Sequence, residues 1–384
     1  MSAPRAYFAG FGLHTTLGRG VVANLSALRL PIAPPQRATL KLSSRESAPY
    51  YLLANEPLAH PEDRLLNVLA NVVAEAIESA GLSPAEQRGL TLFLGTSSGE
   101  ISIHEALFQE DLKKSSGAIP LIASRGIGNL AYWIMERFGL QGADYTINTA
   151  CTASANALIH ADTMIRSGRI ERALVVGVEL CNAVTALGFQ GLQLLTKEMM
   201  RPFDSRRAGL ILGEGCTAVV LDKEKRDGGF FLRGAGNVCD TYSVSAANPD
   251  GSTVSGVIGK ALANARVEPK DITALKAHGT ASLLNDEAEV AGMRRVFDTL
   301  PPLCALKPRI GHTLGACGLN ELALLCGAAR EGWLPGTPGV CTEVGDLGVS
   351  LNQEAREIPR GNFMLNYFGF GGNNTSLIVS NLDD

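Results

Sequence analysis

One thiol and two imidazoles are the side chains in this sequence best placed to do chemistry. Cys151 lies in Thr149-Ala150-Cys151-Thr152-Ala153, at the head of a helix-like run that continues to Leu158. A helix start presents free N–H groups and the positive end of its dipole, which favour the thiolate, the nucleophilic form. His278 stands in Lys276-Ala277-His278-Gly279-Thr280-Ala281-Ser282 and His312 in Lys307-Pro308-Arg309-Ile310-Gly311-His312-Thr313. Both are polar, glycine-containing loops just past apolar runs, and such loops are where α/β proteins build their sites. Taken singly, each residue has a plainer reading. A cysteine in an apolar chain is commonly a small core residue, and a loop histidine an ordinary hydrogen-bonded side chain.

A thiol with two imidazoles fits a zinc site, a hydrolase or an acyl-transfer site. Structural zinc sites show close-spaced ligand pairs, and the sequence has none. Hydrolysis asks for one base and an orienting acid rather than two separately mounted imidazoles. Acyl transfer with carbon–carbon bond formation uses all three, the thiol carrying the acyl group while two N–H donors stabilise an enolate.

These residues need a scaffold. Short apolar runs at residues 90–95 and 173–178 alternate with longer helical patterns, which predicts an α/β chain with largely parallel strand pairing. A charged segment at 222–229 interrupts the rhythm, and the apolar run 230–236 that follows it is similar to the opening run 6–12. Two halves of like architecture are expected, 1–226 with Cys151 and 227–384 with both histidines. A length of 384 residues also exceeds what one core usually serves. Near the end, Gly369-Phe370-Gly371-Gly372-Asn373-Asn374 precedes a last apolar strand. Such glycine density marks either a backbone that approaches something closely or a plain tight turn.

Composition excludes several classes. A formal net charge of −4 without a basic block argues against nucleic-acid and anionic-membrane binding. The eight cysteines form no CxxC pair, which reads as reduced thiols in a cytoplasmic protein, and no run approaches the length of a membrane span. With 19% charged residues, apolar surface remains for self-association.

In ordered motifs along nearly its whole length, the chain resembles the β-ketoacyl-acyl carrier protein synthases of the thiolase-like superfamily, in the decarboxylating group with a Cys-His-His site. Thr149-Ala150-Cys151-Thr152-Ala153 is similar to the nucleophile motif. Pro202-Phe203-Asp204 with Leu212-Gly213-Glu214-Gly215 resembles the block after it, and His278-Gly279-Thr280 the first histidine motif. Lys307, Gly311-His312 and Glu321 have the family's spacing, and Gly369-Phe370-Gly371-Gly372 matches its C-terminal loop. Thiolases carry a second cysteine in that loop, where this chain has Phe370, and coenzyme A-primed synthases have asparagine where His312 stands.

The resemblance implies a thiolase-like fold, two halves in an α-β-α-β-α sandwich, and decarboxylative condensation of malonyl-carrier protein with an acyl group on Cys151. It implies that the backbone N–H groups of Cys151 and Phe370 form an oxyanion hole, with Phe370 also a gate. His278 and His312 would hold the enolate oxygen, Lys307 and Glu321 would pair and orient the His312 loop, and Thr280, Ser282 and Asn374 would contact the phosphopantetheine arm or support its loop. No bound cofactor or metal is implied. The implied partners are acyl carrier protein and a second subunit, as a homodimer or as a heterodimer with a chain-length-factor-like chain. Arg201, Arg206 and Arg207 are the local basic residues an acidic carrier protein would need. Pro308-Arg309-Ile310 is unusual for the family and leaves a type II polyketide or aryl polyene pathway open beside fatty acid synthesis. A non-catalytic, chain-length-factor-like subunit is the alternative from another class.

Overall fold

The computed structural model describes residues 4–30, 38–41, 47–56, 60–114, 128–225, 229–339 and 346–383. The expected boundary between 226 and 227 lies outside the described residues, as does Cys341. The first half contributes β1 (Tyr7–Thr15), α1 (Pro61–Ala80), β2 (Thr91–Gly95), β3 (Asp144–Ile147), α2 (Ala153–Arg166), β4 (Arg172–Glu179), α3 (Ala183–Gly191) and β5 (Gly215–Asp222). The second contributes β6 (Phe231–Cys239), α4 (Ser252–Ala265), β7 (Ile272–Lys276), α5 (Leu283–Arg294), β8 (Leu303–Cys304), α6 (Cys317–Arg330), β9 (Asn362–Phe368) and β10 (Asn373–Ser380).

These strands run side by side in the order β8-β7-β9-β10-β6-β1-β5-β4-β2-β3. The order is the same in each half when read outward from the centre, where β1 meets β6 through the Tyr7–Phe231 pair. In each half the three outer strands are parallel and the inner pairings antiparallel. Largely parallel pairing was the expectation, and the difference has a physical cause. A parallel neighbour requires a crossover back to the starting end of the sheet. After β4 the chain instead stays at the carboxyl end, where residues 180–214 build the site, so β5 must run back. Likewise β9 turns through residues 369–372 directly into β10.

Strand residues alternate between two cores, as the period of two requires. Phe93, Val175 and Val219 face inward, and Phe363, Leu365, Leu377 and Val379 face the same interior from the other half. Between the two halves of this sheet lie α2 and α6, whose Leu158, Leu322 and Leu325 share that core. Leu92, Leu94, Val176 and Val220 point outward onto α1, and Leu275, Met364 and Ile378 onto α4 and α5. The result is the expected five-layer α-β-α-β-α sandwich. Close packing of the central layer needs small residues. A Cβ on Gly95 would lie 2.4 Å from the Ser154 Cα, so β2 can press against the start of α2 only as glycine.

Candidate active site

Cys151 sits two residues before α2, in a turn where Ala150 takes a left-handed φ of 51°. That strain is held by hydrogen bonds from Thr152 and Ala153 N–H to the carbonyls of Thr149 and Ala150. Thr152 Oγ1 and Asn156 Nδ2 also donate to Asn373 Oδ1, at 2.6 and 2.8 Å. Asn237 adds a bond to Asn156 Oδ1 at 2.6 Å, so the head of the nucleophile helix is pinned to the loop that carries Phe370. The backbone N–H groups of Phe370 and of Cys151 itself bear on the sulfur. Gly372 makes that loop possible. Its φ is 80°, and a Cβ there would meet the Asp240 carbonyl oxygen at 1.9 Å.

The helix start was expected to ionise Cys151. The fold corrects this: burial pushes the thiol up to about 11, outweighing Lys307 and the two backbone N–H groups that act the other way. Desolvation disfavours the thiolate more strongly than the dipole end favours it. The resting nucleophile is therefore a protonated thiol.

His278 and His312 are buried, with ring centres 5.6 Å apart and planes nearly perpendicular. Both line one cavity of about 260 Å³ together with Cys151, Phe370, Thr280, Ser282 and Asn374. The site residues from the two halves thus meet, and Lys307 and Glu321 lie behind them, wholly buried.

Local structure explains the two earlier motif blocks. His312 N–H donates to the Ile211 carbonyl at 2.8 Å, and Gly213 N–H donates to the His312 carbonyl at 3.1 Å. The Leu212–Gly215 block is therefore a backbone splint for the second histidine loop. Its Glu214 carboxylate takes a bidentate bond from buried Arg64, at 2.6 Å on each side. The Pro202-Phe203-Asp204 block packs on Gly279, and Phe203 N–H donates to Asp286 at 2.8 Å.

Hydrogen bonds fix the tautomer of both imidazoles. Lys307 Nζ stands 3.3 Å from His278 Nδ1, and an ammonium only donates, so His278 Nδ1 accepts and the ring proton is on Nε2. His312 Nδ1 accepts from Leu314 N–H at 3.2 Å, which again leaves the proton on Nε2. Burial first, and the Lys307 and Lys276 ammoniums with it, push both histidines well below their ordinary range. Two neutral imidazoles, each with one N–H donor, line the cavity.

Lys307 and Glu321 do pair, at 2.8 Å, but their object differs from the expectation. The ammonium reaches the His278 carbonyl at 2.7 Å as well as its Nδ1, so it orients His278, whereas the His312 loop is held by residues 211–213. Asn374 lines the cavity with a buried, unpartnered Nδ2, and the loop support expected of it is supplied by Asn373. The Thr280 and Ser282 hydroxyls bond each other at 3.0 Å on the cavity wall. Arg207 is not free for a carrier protein, because it is buried and paired with Asp346 and Glu287, each at 2.9 Å.

Four further residues escaped the sequence reading. Glu289 accepts the N–H groups of His278 and Gly279 at 2.7 and 2.9 Å. Phe189 stacks on Phe370 with centres 5.4 Å apart and closes the cavity beside Cys151. Asn373 is the node described above. Lys276, wholly buried, shares Glu321 with Lys307. A lysine at the end of an apolar run was the one available signal for it.

Residues 43–227 match the family described as beta-ketoacyl synthase, N-terminal domain, and residues 230–340 match the beta-ketoacyl synthase C-terminal domain. The chain belongs to the beta-ketoacyl synthase family. It is 30% identical to a 3-oxoacyl-[acyl-carrier-protein] synthase 2 of Vibrio cholerae over 80% of each chain. It is 27% identical to a polyketide biosynthesis malonyl-ACP decarboxylase of Bacillus subtilis, over 81% of this chain and 78% of that one. Among solved structures, a chain from the complex of a Xenorhabdus doucetiae ketosynthase with its chain length factor superposes with a TM-score of 0.86 at 25% identity, covering 99% of this chain and 98% of that one. A beta-ketoacyl synthase from Burkholderia phymatum gives 0.85 at 25% identity, covering 99% of this beta-ketoacyl synthase and all of that chain. This family member is a condensing enzyme of the acyltransferase class. No helix among the described residues is long and apolar enough to cross a membrane.

Proposed function

We propose that this beta-ketoacyl synthase joins an acyl group carried on Cys151 to malonyl-carrier protein by decarboxylative Claisen condensation. The supporting observation is the pair of neutral Nε2–H imidazoles in one cavity with a thiol whose sulfur lies under two backbone N–H groups.

In the first step Cys151 Sγ attacks an acyl thioester, its proton passes to the departing pantetheine thiol, and the N–H groups of Cys151 and Phe370 hold the tetrahedral oxyanion. In the second, the malonyl carboxylate leaves as carbon dioxide. Its bonding electrons form an enolate whose oxygen takes hydrogen bonds from His278 and His312. The enolate carbon then attacks the acyl carbonyl, and Cys151 departs as a thiolate that takes a proton from water to restore the thiol. A neutral imidazole suits the second step because it donates a hydrogen bond without protonating the carbon nucleophile. Thr280, Ser282 and Asn374 line the approach and present hydroxyl and amide groups to the pantetheine arm. Lys307 and Glu321 set the tautomer of His278. Substrates arrive on the phosphopantetheine of acyl carrier protein, and the chain contributes no bound cofactor.

The reading includes a dimer, with a second copy or with a chain-length-factor-like subunit. β3 pairs with β2 on one side and, among the described residues, with no strand on the other. Tyr145 on β3 and Tyr132 nearby are 41% and 64% exposed. An open edge strand is a liability that a partner strand removes. The chemistry fits fatty acid, polyketide or aryl polyene synthesis, and the free thiols fit the cytoplasm.

Incubation with acyl- and malonyl-carrier proteins tests the reading. It requires an acyl adduct on Cys151 by intact mass, absent in Cys151→Ala, and a β-ketoacyl product. His312→Ala is expected to keep the adduct and lose carbon dioxide release. Equal loss of both would remove His312 from the enolate step. Absence of adduct and product in the unaltered protein would instead favour a non-catalytic partner subunit.

A further inference from the structure

Lys276 ends β7, two residues before His278. Its ammonium donates to Glu321 Oε2 and to the Asn366 carbonyl at 2.7 Å, and it stands 3.7 Å from the centre of the Tyr367 ring. A carboxylate, a carbonyl oxygen and an aromatic face are partners that select the charged form of an amine. Glu321 therefore answers two ammoniums, since its other oxygen takes Lys307 at 2.8 Å. Behind His278 two ammoniums thus share one hydrogen-bonded carboxylate, while the oxygens of the nearby Glu289 carboxylate are spent on two backbone N–H groups. Lys307 and Glu321 alone would form a satisfied pair, and a second buried ammonium costs desolvation, which lowers Lys276 from its ordinary value and which a shared carboxylate does not return in full.

We propose that Lys276 is a positioning residue for the enolate step: by sharing Glu321 with Lys307 it holds a second positive charge behind the two imidazoles, which keeps both unprotonated and strengthens their N–H groups as donors to developing negative charge. The proposal rests on the condensing role given above. The groups facing these rings are consistent with it. His278 meets Lys307, His312 and, from α5, the Glu289 carboxylate, which is already engaged by two backbone N–H groups. Cys317 on α6, Cys304 on β8 and Tyr367 on β9 surround the lysines, and burial keeps all three in their neutral forms, as it does Cys151 at the head of α2. Both lysines act on both histidines in the same direction, downward.

The test uses the full chain with acyl- and malonyl-carrier proteins and measures carbon dioxide release from about pH 5 to about pH 9, beside acyl loading of Cys151 by intact mass. Lys276→Met is expected to lose about 10- to 100-fold in carbon dioxide release near neutral pH, while loading stays within about threefold. Removing a cation lets the histidines protonate more readily, so the acid limb of the profile moves up by about one pH unit. Lys276→Arg keeps the charge and is expected to keep the acid limb where the unaltered protein has it. A Lys276→Met limb that superimposes on the unaltered one, or loading and carbon dioxide release falling together, overturns the proposal. If Lys276→Met fails to fold, the unaltered protein and Lys276→Arg decide. A limb in the unaltered protein at or above 6.5, the ordinary histidine value, overturns it, and so does a shifted limb in Lys276→Arg. Failure of the condensing role itself would look different: no adduct and no carbon dioxide release from the unaltered protein.

Discussion

Replacing Lys307 by methionine should separate the two half-reactions. The side chain stays unbranched and apolar along its stem, ends one atom short of the ammonium and loses every donor. Lys307 serves three acceptors: Glu321 at 2.8 Å, the His278 carbonyl at 2.7 Å and His278 Nδ1 at 3.3 Å. Glu321 would retain Lys276, so its carboxylate is not orphaned. The two acceptors on His278 would be, and each buried unsatisfied group costs about 1–3 kcal/mol. The expected loss of stability is therefore about 2–6 kcal/mol. It is readable by denaturant unfolding in the absence of substrate. The chemical cost is separate. Without a donor at Nδ1, His278 is free to place its proton there and turn a bare nitrogen toward the cavity. Losing one such preorganised donor lowers carbon dioxide release by about 10²- to 10³-fold. Acyl loading of Cys151 loses only the favourable charge of Lys307 on the sulfur, about 10-fold or less. Single-turnover carbon dioxide release from malonyl-carrier protein and intact-mass loading, run on the same folded sample, give the two numbers. Equal losses in both, or unchanged carbon dioxide release, would refute the assignment of Lys307 to His278.

Two other outcomes follow from the buried groups. With the Cys151 thiol near 11, alkylation of that residue by iodoacetamide, followed by intact mass against Cys151→Ala, is expected to keep accelerating with pH through about pH 10; a plateau below about pH 9 would mean that the backbone N–H groups outweigh burial. Burial likewise raises Asp162 on α2 to about 7 against the pull of Arg166. Because its folded value lies above the unfolded one, stability falls as pH rises from the ordinary carboxylate range through about 7. Asp162→Asn is expected to melt above the unaltered protein at about pH 8 and with it at about pH 4, and a pH-independent difference would contradict this.

Much of the site was legible in the order of residues alone. Residue type, loop context and ordered motifs pick out Cys151, His278 and His312, and the cavity contains all three. The roles of the supporting residues were harder to read. Spacing pairs Lys307 with Glu321 correctly, yet spacing along one segment cannot reveal that the ammonium turns toward a histidine 29 residues earlier. Asn373 and Asn374 are adjacent and chemically identical in sequence. Strand alternation in β10 sends them to different neighbours, and only Asn373 meets the head of α2.

The sequence by itself determined the alternation of strands and helices, the two like halves and the nucleophile. Apolar period and motif order are local properties, whereas the five layers were implied only by the family those motifs resemble. Tertiary structure alone decided the electrostatics. Burial turned a thiol expected to ionise into one held near 11, and it placed two lysines on one glutamate 45 and 14 residues away along the chain. Desolvation and charge coupling depend on distance through space and on excluded water, and neither quantity is written in the order of residues.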